Sequence, residues 1–303
     1  MIPSTINPLG VSLAPRPIDG SRGVFLKSGT DVVSSAMTMS GAVVSSGLAQ
    51  RIYSKGIADH SIVSSGTLAV YNGGVAKNFV ASRGQILVSS GGTVESSIVS
   101  SGTNSFAFNG AKINNLTTNP ITHTYLSSGA AANSVTMAGG NFYISSGASA
   151  SEITVGGGVV AILHIVQGDA SNITVASRGV CSMYAGGGMT RNVTVSSGAS
   201  LIMNSGTSAS QVVMRGGTVN ISRGGTAAVV SSLETATQIV VLGGGVLRSG
   251  FAVLGNILVS AGGYAEDLIA SGISPASRGV LSLLAGGSMH RVICQRAENG
   301  FFN

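Results

Sequence analysis

Acidic residues are scarce in this chain: Asp and Glu number 10 in 303 residues, against 16 Lys and Arg. Tryptophan is absent and aromatic residues make up 5%. That excludes a core built on large rings, and it leaves no interleaving of basic and stacking residues of the kind single-stranded nucleic acid requires. Two cysteines, Cys181 and Cys294, are too few for a disulfide framework or a thiolate metal cage. Of six prolines, four lie within the first seventeen residues, so nearly all the remaining chain is free of residues that break strands. No apolar run approaches the length of about 20 residues that a membrane helix needs; the longest, Val159 to Val166, is interrupted by His164. Residues 1–20 have neither the basic start nor the apolar stretch of a secretory peptide. Charged residues amount to 9% and hydrophobic ones to 44%, the opposite of a disordered composition.

What the chain has is glycine, 45 residues of it, and a period. Ile62, Val80, Ile98, Leu116, Val135, Ile153, Ile173, Val193 and Val212 recur at steps of 18 to 20. Gly66 to Gly84 (GTLAVYNGGVAKNFVASRG) lies under Gly84 to Gly102 (GQILVSSGGTVESSIVSSG), with Leu68 on Ile86, Val70 on Val88 and Val80 on Ile98. Each unit contains two short stretches with period-two alternation, each closed by a glycine-bearing corner. Strand-sized segments repeating at this interval predict an all-β, right-handed parallel β-solenoid of about 18–20 residues per turn. The recurring apolar positions are expected to face inward as one column. Tyr53, Tyr71, Tyr125 and Tyr143 are expected to keep a common 18-residue phase, with Asn119-Pro120 a variant corner. Residues 1–20 read as an N-terminal cap, 21–295 as the repeat domain and 296–303 as a C-terminal tail or cap. Ala176 to Arg191 and Ala276 to Arg291 agree at eleven of sixteen positions, as duplication within one continuous array would produce.

In a solenoid, function is carried on columns. Polysaccharide cleavage on such a coil needs paired carboxylates or an acid-bound metal on adjacent turns. No two acids here are separated by 18 to 20 positions. The four histidines show no ligand spacing, so no catalytic residue, metal or cofactor is assigned. Thr136, Thr154, Thr174 and Thr194 recur at steps of 18, 20 and 20 between apolar flanks. They form a candidate surface ladder: a ligand row, a glycan-acceptor row or an ice-binding face, against the plain alternative of β-propensity. Five arginines share the context SRG, namely Arg22, Arg83, Arg178, Arg223 and Arg278. They are candidate basic corners, although their separations do not set them on adjacent turns. The tyrosine pairs are candidate contacts for sugar rings.

The corners VVSSG at 43–47, IVSSG at 62–66, VSSGGTVESSIVSSG at 88–102, ISSGASASEITVGGG at 144–158 and VTVSSGAS at 193–200 resemble the passenger repeats of self-associating autotransporter adhesins. The resemblance covers residues 21–295. It implies a parallel β-helix at a bacterial surface, cell–cell aggregation or attachment, and in some members O-glycosylation of repeat serines or threonines. The chain departs from the family plan in having no legible signal peptide and no run of long amphipathic strands for an outer-membrane barrel.

The resulting expectation is a non-catalytic adhesion or self-association rod, cell-surface or extracellular, with itself or surface glycans as partner. No specific nucleic acid and no membrane insertion are expected. A structural filament or phage-fibre-like scaffold is the alternative, and a polysaccharide-active β-helix the third reading.

Overall fold

The computed structural model describes residues 30–295 apart from 34–36, 185, 187, 223, 233, 235, 253, 254, 275 and 276. The expected N-terminal cap, the C-terminal tail, Arg22 and Arg223 lie outside the described residues. Among the described residues all the elements are β-strands. Nearly every strand pairs in parallel with the strand one turn before it and the strand one turn after. The chain is a parallel β-solenoid.

One turn serves as the pattern. Strand Gln85–Val88 pairs with Thr67–Val70 on one side and Asn104–Ala107 on the other. A corner over 89–92 then leads into Thr93–Ser100, which pairs with Lys112–Thr118. Thr93–Ser100 is bent near its middle, because Ser96 has φ 49°. The same bend recurs at Asn115, Ser134, Glu152, Asn172 and Asn192, with φ between 53° and 59°. Short polar side chains tolerate the left-handed region better than branched ones, and one such residue per turn folds a single sheet into two faces. The cross-section therefore has three sides: the first formed by strands such as Gln85–Val88, the second by segments such as 93–95, and the third by segments such as 97–100.

The corners divide two requirements between neighbouring residues. At 89–92, Gly91 adopts φ +72° and Gly92 makes the close approach: a Cβ on Gly92 would stand 2.7 Å from the carbonyl oxygen of Val70. In the SRG corner at 177–179 it is Arg178 that takes φ 62°. Its glycine is present for space, since a Cβ on Gly179 would stand 2.2 Å from the Val155 oxygen.

Between the faces runs a narrow core of stacked side chains. On the first face Leu163, Cys181 and Leu201 stack in one column and Ile165, Met183 and Met203 in the next, all fully buried. On the third face the column through Val135, Ile153, Ile173 and Val193 is buried. Its neighbour two residues on, through Met137, Val155, Val175 and Val195, is buried as well. Strict alternation explains both: residues i and i+2 face in, and i+1 faces out.

The register corrects the expected apolar column. Ile62, Val80 and Ile98 stack on one another, but they face outward, at 51%, 44% and 42% exposure. Leu116 and its successors are buried, yet Leu116 pairs with Ser97, while Ile98 pairs with Thr117. The cause is one inserted residue. The corner between Ser82 and Gln85 holds two residues, and the corner between Ser100 and Asn104 holds three. The additional Thr103 is buried and its hydroxyl donates to the Ser100 carbonyl at 2.6 Å. A one-residue slip exchanges the faces of a strand. The Asn119-Pro120 corner carries a second additional residue, Thr122, which bonds the Asn119 carbonyl at 2.9 Å. Tyr125 consequently stands in register with Phe106, Leu87 and Ala69, two positions away from Tyr71. The common tyrosine phase does not hold.

The two similar sixteen-residue segments occupy equivalent places. Gly179–Tyr184 and Ser277–Leu283 are first-face strands, and Met189–Ser196 and Ser288–Gln295 are the strands that follow them. Gly272 pairs antiparallel with Arg278, and Ser274 with Ser277, in contrast to the parallel pairing of the turns.

Candidate functional site: the outward columns

Thr136, Thr154, Thr174 and Thr194 are successive parallel partners on the third face. They alternate with the buried columns on either side and therefore point out. Thr117 precedes them in the same column. Its spacing fits the period, but it is followed by Thr118 where the other four lie between two apolar residues, so the flanking pattern did not pick it out. The five threonines are flanked by outward residues that are apolar except for one serine: Val43, Ile62, Val80 and Ile98 on the N-terminal side, and on the far side Val213, then Ser231, then Phe251, Ile269 and Ile293. Beside this column runs the row of bend residues, polar apart from Val229 and bonded in places to one another or to the residue beside the bend. The Asn192 amide donates to Asn172 Oδ1 at 2.9 Å, and the Asn78 amide to Asp59 Oδ1 at 2.9 Å.

A second column lies on the first face. Phe106, Tyr125, Tyr143 and His164 stack with ring centroids 5.1, 4.7 and 4.4 Å apart and planes within 7°. Tyr184, which pairs with Val166 rather than with His164, reaches the histidine ring from the side at 5.5 Å. Tyr53 and Tyr71 form a separate pair at 4.6 Å. Phe106 and His164 were not legible as members because they share no residue type with the tyrosines. In this geometry the ring faces are occupied by one another and the edges meet solvent. Stacking onto sugar rings needs free faces, which the interior of the column does not offer. His164 is fixed on both sides: one ring nitrogen lies 3.1 Å from the Tyr184 hydroxyl and the other 3.0 Å from Asn141 Oδ1. Burial, then nearby His123, hold its pKa below the ordinary histidine value. Burial chiefly, with the Tyr125 and Tyr184 hydroxyls, raises that of Tyr143.

The hollows are open and shallow. One, of about 380 Å³, crosses several turns of the second face between Lys112 and Arg191, over small residues such as Ala131, Ser149 and Ser151. Another, of about 490 Å³, lies at the corner formed by Pro120, Ile121, His123 and Val160. The acids near the C-terminal turns are engaged with cations. Glu266 lies 3.2 Å from Arg248 and 3.6 Å from Arg291, and accepts the Tyr264 hydroxyl at 3.0 Å. Asp267 and Arg291 form a bidentate pair, which lowers the pKa of the carboxyl and raises that of the guanidinium. No cluster of three His, Cys, Asp or Glu side chains that could hold a metal occurs among the described residues.

Of the SRG arginines, Arg83 and Arg178 are exposed corner residues at φ 55° and 62°. Arg178 donates to the Gly158 carbonyl at 3.1 Å. Arg278 lies within strand Ser277–Leu283, opposite Gly272, and is not a tight-corner residue like the other two. Arg83, Arg178 and Arg278 do not form a row.

The fold places the chain in the class of parallel β-solenoids with an 18–20-residue turn. Within that class it has the architecture of the TibA fragment 55–350 in its TibC-catalysed, hyper-glycosylated form: 23% identity over 87% of this chain and 97% of that one, at a TM-score of 0.77. PfbA, a surface adhesin of Streptococcus pneumoniae (10% identity, 89% of this chain and 83% of that one, TM-score 0.26), is a far more distant match. So is an alginate lyase from Paenibacillus (9%, 88% and 99%, TM-score 0.18). No protein-family model and no curated protein matches the chain.

Proposed function

We propose that this chain is a non-catalytic rod of the autotransporter-passenger type, acting in bacterial surface adhesion or self-association. The observation that carries the reading is the continuous outward column of the third face, unbroken from Ile62 to Ile293, on a fold shared with the TibA fragment. Its hollows are shallow and its C-terminal acids are tied to arginines, so binding by area fits better than cleavage of a bound chain. Contacts repeated once per turn add through multivalency. The partners proposed are a second copy or surface glycans, and the location is the cell surface. The TibA fragment is hyper-glycosylated. The outward hydroxyls of Thr136, Thr154, Thr174 and Thr194 are the corresponding acceptors proposed here, available because their neighbours on either side are buried. Arg83 and Arg178 are proposed as solvating corners.

The test removes whole turns, for example residues 149–168, whose deletion brings Asp169 to the place of Ser149. Bead aggregation or sedimentation should decline in graded steps as turns are removed. Complete loss on altering one or two residues, with folding intact, would show a discrete site and end the rod reading.

A further inference from the structure

Two outward columns run along the second face, separated by one buried column. In the first, Lys112, Ala131, Ser149, Asp169 and Met189 follow one another turn by turn. In the second, Asn114, Asn133, Ser151, Ser171 and Arg191 do the same. Small side chains in the middle leave a trough of about 380 Å³, with Lys112 towards one end and Arg191 towards the other. These two cations stand four turns apart, about 19 Å along the axis at strand spacing. Inside the trough Ser151 Oγ donates to Asn133 Oδ1 at 2.8 Å, which leaves the Asn133 amide hydrogens to donate outward. Lys112, Asp169 and Arg191 form no ion pair among the described residues. Elsewhere on this face opposite charges meet: Asp59 lies 3.9 Å from Lys77, and Glu266 lies 3.2 Å from Arg248. The trough therefore holds three unpaired charges in a fixed order, a cation on its first turn, an anion on its fourth and a cation on its fifth.

We propose that this trough binds an acidic glycan in which a uronic acid alternates with a neutral sugar. This assignment rests on the glycan partner proposed above and gives it a place and a chemical class. The rise from one turn to the next, about 4.8 Å, is close to the advance of one pyranose unit in an extended glycan. A chain of five sugars spans the trough with one sugar on each turn. If the first, third and fifth are acidic, one carboxylate meets Lys112 and another meets Arg191, whose planar fork takes a carboxylate through two parallel hydrogen bonds. The third sugar passes over the hydroxyls of Ser149 and Ser151. The neutral second and fourth sugars lie over Asn133 and Asp169, an amide donor and a carboxylate acceptor for sugar hydroxyls. Asp169 also discriminates. On a chain charged at every unit, such as a polyuronate or a nucleic-acid strand, it would face an anion and repel it. A peptide strand has no edge to join here, because the backbone of this face is paired on both sides with the neighbouring turns.

The experiment titrates the full chain calorimetrically with three pentasaccharides. One alternates glucuronic acid with N-acetylglucosamine and has the acid at both ends, one is all galacturonic acid, and one is all N-acetylglucosamine. The alternating chain should bind most tightly. Lys112→Ala and Arg191→Ala, both at exposed positions, should each weaken it about tenfold, the loss of one charge-assisted hydrogen bond, with the melting temperature unchanged. Asp169→Asn should bring the affinity for the all-acid chain up towards that for the alternating one. Ser149→Trp, which fills the trough from an exposed position, should abolish binding. Equal binding of the neutral chain would overturn the acidic class, and tighter binding of the all-acid chain would overturn the alternation. Binding indifferent to Lys112→Ala, Arg191→Ala and Ser149→Trp would overturn the site. Bead aggregation without glycan tests the rod reading separately. A chain that aggregates beads but binds none of the three glycans would overturn the trough and leave that reading standing; a chain that does neither would overturn both.

Discussion

The imidazole of His164 lies 4.4 Å from the ring of Tyr143 with the planes 6° apart, and both of its nitrogens are within hydrogen-bond reach of a neighbour. The neutral ring satisfies this arrangement by donating to Asn141 and accepting from Tyr184. Protonation would place a charge in a half-buried column beside His123.

A pH dependence follows. Because the folded pKa is depressed, the unfolded chain takes up the proton first as pH falls. The contribution is intact above the ordinary histidine value of about 6.5 and is lost as pH falls from there towards the folded value. The melting temperature should therefore drop on acidification below about pH 6.5. His164→Phe, which keeps the stack and removes the titration, should flatten that slope. Melting curves between pH 5 and 8 check it; an unchanged slope in the variant would assign the titration elsewhere.

Adjacent residues on the third face should respond oppositely to charge. Val99 is 1% exposed and Ile98 is 42% exposed. Val99→Asp buries an unpaired carboxylate in a narrow core and should cost about 4 kcal/mol or more. Ile98→Asp loses only outward packing and strand propensity, about 1 kcal/mol or less. Denaturant titration of the two variants distinguishes this register from the one that the simple period suggests.

Val229 offers a stabilising change. It adopts φ 54° at a bend where its neighbours along the row are Gln211 and Ser249, and it is 54% exposed. A branched side chain is strained in the left-handed region. Val229→Asn should raise stability by roughly 1 kcal/mol, seen as a melting temperature higher by a few degrees. A lower melting temperature would mean that outward packing of the valine outweighs backbone strain.

The two thiols should separate cleanly. Burial pushes the Cys181 thiol up to about 12, and the side chain is completely enclosed, whereas Cys294 is exposed. At pH 8 a maleimide should modify the native protein once, at Cys294, and the denatured protein twice. Mass spectrometry of the native adduct decides; rapid double labelling would mean that the first-face core opens readily.

By itself the sequence determined the class of fold. Short alternating apolar stretches, a period of 18 to 20 and glycine at the corners leave a parallel coil of strands as the arrangement that buries Ile86 on Leu68 and Val88 on Val70 while letting successive corners touch. It also identified the four threonines from Thr136 to Thr194 as a row. Only the tertiary structure decided which residues lie inside elsewhere. Thr103 and Thr122 look like ordinary corner residues in the sequence. Each lengthens a turn by one, and because side chains alternate with a period of two, one residue is enough to exchange the inner and outer faces of everything aligned across it. The insertions set Ile62, Val80 and Ile98 in register with outward Thr117 in place of buried Leu116, and together they set Tyr125 two positions apart from Tyr71. The aromatic column was hidden for a related reason: Phe106, Tyr143 and His164 are unlike as letters and become one feature only when successive turns hold their rings a strand's spacing apart.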